Sequence, residues 1–196
     1  MKRALYRFIQ LFTLVGIPLL GALYFYQFLG QSRKELVPFK SFKFPENTLK
    51  TASGKDWIFK PRKTISVINF WATWCPPCVN EFPAMLELKR VLKDYDIEFL
   101  FVSVDDKWET VQEFQSKYNI DLPTEANLWD PEKKAANDWG SIKFPETYVL
   151  RSDGWVVEKI IGEQLWTRKS IVEYFIDLTK KYADLEKSKN PKKAKI

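Results

Sequence analysis

Two stretches, Thr64-Ile65-Ser66-Val67-Ile68-Asn69-Phe70-Trp71 and Ile97-Glu98-Phe99-Leu100-Phe101-Val102-Ser103-Val104, are nearly continuous apolar runs rich in β-branched and aromatic residues. Runs of this kind suit strands buried on both faces of a mainly parallel sheet. Between them, Pro76 to Lys93 places Val79, Phe82, Met85, Leu86, Leu88, Val91 and Leu92 at helical spacings. Strand, helix and strand in that order predict a βαβ unit. Further helices are expected over Trp108–Tyr118, Pro131–Trp139 and about Thr167–Leu185. Thr147–Arg151 and Trp155–Ile161 are short apolar runs joined by Ser152-Asp153-Gly154, and the Asp-Gly pair predicts an antiparallel hairpin. A smaller hairpin is expected between Phe42–Phe44 and Thr48–Lys50, across Pro45-Glu46-Asn47. The fold class is therefore α/β, with a mixed central sheet and helices on both faces, in one domain.

The chain has no histidine and only two cysteines, Cys75 and Cys78. That excludes Ser-His-Asp and Cys-His nucleophilic catalysis in their usual form, histidine-ligated zinc or copper, and four-cysteine metal sites. The net charge of +6 does not point to a polyanion partner. Lys2, Arg3 and Arg7 near the start and five lysines in residues 187–196 are unmatched by acids, whereas residues 30–186 hold 23 basic and 25 acidic side chains. A domain of net charge −2 lacks the basic footprint of a nucleic-acid binder. The lysine-rich end, residues 186–196, reads as a solvated tail.

Phe8 to Leu29 are 22 consecutive residues without a charge. A helix of that length reaches about 33 Å, enough to cross a hydrocarbon core of about 30 Å. Tyr6 at one end and Tyr24 and Tyr26 at the other suit interfacial anchoring. A cleaved signal peptide would need a shorter apolar core and a small-x-small cleavage site, and Tyr26-Gln27-Phe28-Leu29-Gly30-Gln31 offers none. Residues 1–30 are expected to be an uncleaved single-span anchor, residues 31–41 a tether, and residues 42–185 the folded domain. The basic residues lean towards the N-terminus inside, which would put the domain on the outer face of a bacterial inner membrane.

Asn69-Phe70-Trp71-Ala72-Thr73-Trp74-Cys75-Pro76-Pro77-Cys78 places Cys-x-x-Cys where a buried strand gives way to a helix. Unpaired backbone N–H groups and the positive end of the helix dipole favour thiolate over thiol there, so Cys75 is the expected nucleophile. Pro76 suits the first helical position, and Pro77 removes a further donor from beside the sulfur. Cys78, one turn on, can close a disulfide and resolve a mixed disulfide with substrate. A structural disulfide across two residues would close too small a loop to be a useful staple, and two thiolates without histidine leave a metal short of ligands. Glu81, a turn beyond Cys78, is placed to carry the proton that thiol-disulfide exchange moves; the alternative is a solvated helix glutamate.

Phe70-Trp71-Ala72-Thr73-Trp74-Cys75-Pro76-Pro77-Cys78 resembles the active site of the thioredoxin superfamily, and Cys75-x-x-Cys78-x-x-Glu81-x-Pro83 is similar to its membrane-tethered TlpA, ResA and CcmG/DsbE group. Gly140 to Leu150 resembles the group's second active-site segment, and the likeness runs from about residue 37 to residue 180. The resemblance implies a thioredoxin-like fold, a cis Pro145 facing the sulfurs, and an exposed Phe144 backbone open to strand-like pairing with a substrate chain. Phe144 either adds apolar surface or packs into the core. Glu146 is a second carboxylate of the Glu81 kind. Trp71 and Trp74 are implied to pack around the site, and Trp74 is grouped with Phe144, Pro145 and Glu146 as substrate-contacting. Asn69 stands where thioredoxin has a buried aspartate, so a proton relay must use Glu81, Glu146 or water. Pro83 should kink the helix and leave the carbonyl of Val79 unpaired. Leu128 and Trp129 are expected to add an edge strand within the segment Lys107–Trp139 that this group inserts.

The implied activity is reduction of disulfides in secreted proteins by the Cys75-Cys78 dithiol, with no cofactor. The implied partners are apocytochrome c as substrate and a transmembrane donor of the CcdA or DsbD kind. The motif fixes mechanism but not direction, so an oxidase or isomerase stays open, and a redox-silent binding module is the reading from another class. A peroxiredoxin would want Pro-x-x-x-Thr-x-x-Cys, which is missing before Cys75, and copper delivery of the Sco type would need a histidine.

Overall fold

The structure is a computed structural model that describes residues 41–189 except Asn47. The expected anchor, nearly all of the tether, and residues 190–196 of the expected tail lie outside the described residues. Among the described residues no helix is long and apolar enough to cross a membrane.

Among the described residues, eight strands form one sheet. They are β1 (Phe42–Lys43), β2 (Thr48–Thr51), β3 (Asp56–Ile58), β4 (Ile65–Trp71), β5 (Ile97–Ser103), β6 (Asn127–Trp129), β7 (Glu146–Arg151) and β8 (Trp155–Ile161). The helices are α1 (Pro76–Val91), α2 (Trp108–Lys117), α3 (Lys134–Asp138) and α4 (Lys169–Lys189). The spatial order is β1-β8-β7-β4-β5-β6-β2-β3. All seven residues of β4 are buried, as its nearly continuous apolar run leads one to expect of a strand covered on both faces. It runs parallel to β5, from Ile65 opposite Ile97 to Trp71 opposite Ser103, and antiparallel to β7. The β7–β8 hairpin turns at Gly154, whose φ is +80° and whose N–H returns to Arg151 O at 2.9 Å. A Cβ there would meet the Phe44 ring at 2.5 Å, so both backbone and space demand glycine.

The expected hairpin between Phe42–Phe44 and Thr48–Lys50 does not form. The first segment pairs antiparallel with β8, with Phe42 opposite Val156, and the second pairs with β3 and β6 at the far side of the sheet. The aromatic ring of Phe44 decides this. It packs against Phe59 and Trp139 at centroid distances of 4.8 and 5.7 Å, while its N–H donates to Gly154 O at 3.0 Å. The β6 strand exists where Leu128 and Trp129 were expected, but it is internal: β5 lies on one side and β2 covers the other. The short helix α3 starts at Lys134 rather than Pro131, and α4 continues to Lys189.

Alternation along β4 divides the core. On one face Trp71 meets Phe82 of α1 at 4.4 Å and Phe114 of α2 at 5.2 Å, and Phe82 also meets Phe101 at 5.0 Å. The helix α4 covers the same face, its Tyr174 donating to Glu158 of β8. On the other face Phe70 and Tyr148 pack edge-on against Trp139, just after α3. The helix α1 buries Cys78, Glu81, Phe82, Met85 and Leu88, a stripe at spacings of three and four. Truncating Phe82 to alanine should cost about 3–5 kcal/mol. The same stripe carries a cysteine and a carboxylate into that face, which sets up the site.

Candidate active site

Cys75 is the N-cap of α1, with Pro76 and Pro77 in the first turn. Neither proline has an N–H, so the amide of Cys78 is the first the helix offers, and it donates to Cys75 Sγ at 3.3 Å. The two sulfurs are joined in a disulfide, with Cα atoms 5.3 Å apart. Cys75 is 5% exposed and Cys78 only 1%, so an attacking thiolate reaches Cys75 first.

The turn into Cys75 is held by a residue the sequence reading passed over. Asp105, buried just beyond β5, accepts from the Thr73 N–H at 3.0 Å, the Thr73 hydroxyl at 2.7 Å and the Ser103 hydroxyl at 2.7 Å. Val104 N–H donates to Trp71 O at 2.9 Å, locking the two strand ends together. A carboxylate just past the C-terminal end of a buried parallel strand was the available signal, because sites in α/β sheets gather there.

Glu81 is buried, not a solvated helix glutamate. Its Oε2 accepts from the Gln164 N–H at 2.8 Å and from Trp166 Nε1 at 3.0 Å; Oε1 faces Asn69 Nδ2 at 3.4 Å. Burial pushes its carboxyl up to about 7, against the pull of those three donors and with a smaller push from the Glu163 carboxylate. Asn69 also donates to the Thr147 hydroxyl at 2.9 Å, which ties β4 and β7 together beneath the helix. Nothing in the sequence pattern pointed to Trp166 or Gln164.

Glu146 is placed differently. Thr147 faces Asn69, so its neighbour Glu146 lies on the opposite face of the sheet from Glu81. There it is 2% exposed, paired with Lys159 Nζ at 2.9 Å and accepting from the Tyr148 hydroxyl at 3.3 Å. The structure thus separates the two carboxylates, and Glu146 presents no surface to a substrate.

The Phe144–Pro145 peptide bond is cis, and Pro145 O accepts from the Gly162 N–H at 2.8 Å. Phe144 is half-buried and packs edge-on against Trp74 at 6.0 Å. Trp71 and Trp74 part company: Trp71 is wholly buried, whereas Trp74 is 56% exposed, with Lys133 Nζ 6.0 Å from its ring centre. Ile142, Ile161 and Leu165 are also exposed. Among the described residues no group of three or more His, Cys, Asp or Glu side chains is placed to hold a metal ion.

Residues 37–159 match the model of the AhpC/TSA family. Over 179 residues, 91% of this chain and 98% of the relative, the sequence is 30% identical to the thiol-disulfide oxidoreductase ResA of Bacillus thuringiensis. It is 29% identical over 108 residues to the thiol:disulfide interchange protein DsbE of Allochromatium vinosum, covering 54% of this chain and 57% of that one. A thiol-disulfide oxidoreductase from Bacteroides fragilis superposes with a TM-score of 0.58 at 17% identity, over 70% of this chain and 99% of that one, a likeness of fold. Enzymes of this kind work through their own cysteine pair and through protein substrates. The chain belongs to the AhpC/TSA family, as a ResA- and DsbE-like thiol-disulfide oxidoreductase of the thioredoxin superfamily.

Proposed function

We propose that this enzyme reduces disulfides in proteins outside the cell membrane, with Cys75 as nucleophile, Cys78 as resolving thiol and Glu81 as proton carrier. The single N–H that the first turn of α1 gives to Cys75 Sγ carries the reading of direction. A cysteine pair becomes strongly oxidising when its reduced thiolate is well stabilised, as in DsbA. With Pro76 and Pro77 in the first turn, that stabilisation is small, and the pair is poised as a reductant.

Substrate would dock on the exposed face formed by Trp74 and Phe144, with the main chain at Phe144–Pro145 as its pairing edge. Phe8–Leu29 would anchor the chain in the inner membrane and leave the enzyme in the periplasm or its equivalent. In that oxidising space a chain with no further cysteine needs a membrane donor of the CcdA or DsbD type. Apocytochrome c, whose haem-attachment cysteines must be reduced before ligation, is the proposed substrate.

The test is the reduction potential of the full chain in detergent, equilibrated with dithiothreitol or glutathione. A value at or below roughly −250 mV supports the reductant, and one near roughly −120 mV makes the protein an oxidase. Cys78→Ser should then trap a mixed disulfide with apocytochrome c whose haem-attachment cysteines have been oxidised to a disulfide, and Cys75→Ser should not. Equal trapping by both would reject the assignment of roles.

A further inference from the structure

The loop between β8 and α4 is tied to the site at both ends. Gly162 N–H donates to Pro145 O at 2.8 Å, and two residues later the Gln164 N–H reaches Glu81 at 2.8 Å. The Gln164 side chain folds back to Gly162 O at 3.1 Å, so the loop also holds its own shape. Leu165 points out, 56% exposed, while Trp166 is driven in to 1% exposure. Its indole N–H meets the same Glu81 oxygen, Oε2, at 3.0 Å.

Burial alone does not demand this contact. Trp71 and Trp108 are also buried indoles, and neither Nε1 has a hydrogen-bond partner. Trp166, by contrast, spends its donor on a carboxylate, across 85 residues of chain. Two donors on Oε2 leave Oε1 with one long contact, to Asn69. The two oxygens are therefore unequal: one is fixed by hydrogen bonds that a proton would disrupt, and the other is open to protonation.

We propose that Trp166 is a positioning residue for Glu81, which together with the Gln164 amide pins Oε2 and makes Oε1 the atom that gains and loses the proton. The proposal rests on the reading of Glu81 as proton carrier. Few charged groups bear on it. Glu163 lies in the same loop, and Cys78 on α1, with its partner Cys75, titrates only once the disulfide is reduced; β4 and β7 present Asn69 and Thr147, which carry no charge.

The indole N–H resonance of Trp166, followed by NMR in the oxidised full chain in detergent, gives a direct test, because the cysteines do not titrate there. It should shift with pH around a single midpoint near 7, and the shift should vanish in Glu81→Gln. In the reduced protein, Trp166→Phe keeps an aromatic ring in place but removes the donor that favours the charged carboxylate. The Glu81-dependent step in the pH profile of thiol alkylation should then move up by about one unit. In a Glu81→Gln background the same change should move nothing. A Trp166 resonance that stays flat while Glu81→Gln alters the alkylation profile would overturn the positioning role and leave Glu81 in place. An alkylation profile indifferent to Glu81→Gln would remove the proton carrier and the proposal with it. Should Trp166→Phe fail to fold, the resonance of the unaltered protein still decides.

Discussion

Asp105 accepts both donors of Thr73, the backbone N–H at 3.0 Å and the hydroxyl at 2.7 Å, and so holds the chain two residues before the nucleophile. The carboxylate also satisfies the Ser103 hydroxyl at 2.7 Å, and only 2% of the residue is exposed. Replacing it by alanine leaves the buried Ser103 hydroxyl and the two partly buried donors of Thr73 without their acceptor. We expect Asp105→Ala to cost about 2–4 kcal/mol in urea denaturation of the oxidised protein. Asp105→Asn keeps the volume and one acceptor, and should cost clearly less. Equal losses from the two would mean that the clamp acts through charge rather than through its hydrogen bonds.

The carboxyl of Glu81, held up at about 7 in the fold against 4.5 when unperturbed, makes stability depend on pH. The native state binds this proton more tightly than the unfolded chain does. Glu81 therefore favours the fold fully below about 4.5, and that contribution is lost as pH rises through about 7. Gln at this position cannot ionise. Between pH 4.5 and 7.5 the wild-type protein should lose on the order of 2–3 kcal/mol relative to Glu81→Gln. Parallel urea titrations at pH 5 and pH 8 check it, and a constant difference between the two proteins would show that the carboxyl is not raised.

Periodicity made the centre of this fold legible. β4, α1 and β5 are long enough for their apolar patterns to show, and the β7–β8 hairpin is announced by Asp153-Gly154. The outer strands were not readable in the same way. β1 has two residues and β2 four, too few for a pattern, and their partners are chosen by distant packing such as Phe44 on Phe59 and Trp139. The site divides along the same line. Cys75, Cys78 and Glu81 share one short motif, whereas Asp105 joins Thr73 across 32 residues and Trp166 joins Glu81 across 85. Glu146 sits beside Pro145 in sequence, yet strand alternation sends it to the other face, where Lys159 takes its charge.

That pair, with Glu146 buried and Lys159 partly so, yields a prediction that separates the two carboxylates. Lys159 also donates to Gly140 O at 2.8 Å, so it holds the segment leading to Pro145. Lys159→Met leaves the Glu146 charge buried and unpaired, and should cost about 3–5 kcal/mol. Adding Glu146→Gln should recover part of that loss, since the stranded charge is gone. Neither change should move the pH dependence of thiol alkylation, because Glu146 lies across the sheet from Glu81. A displaced profile in the double variant would bring Glu146 back into the proton path.

Trp74 offers the cleanest split between recognition and chemistry. Its ring is 56% exposed, touches Phe144 edge-on at 6.0 Å, and stands immediately before Cys75. An indole left half in water contributes little to the core, so Trp74→Ala should shift the urea midpoint only slightly. A protein substrate that lays an apolar side chain against this ring loses that contact on binding, and its KM should rise about tenfold, with kcat far less affected. A small aromatic disulfide that reaches Cys75 without crossing the Trp74–Phe144 face should react at the same rate with both proteins. Equal slowing of large and small disulfides would place the effect on Cys75 itself, and Trp74 would then belong to the frame of the nucleophile rather than to the docking surface.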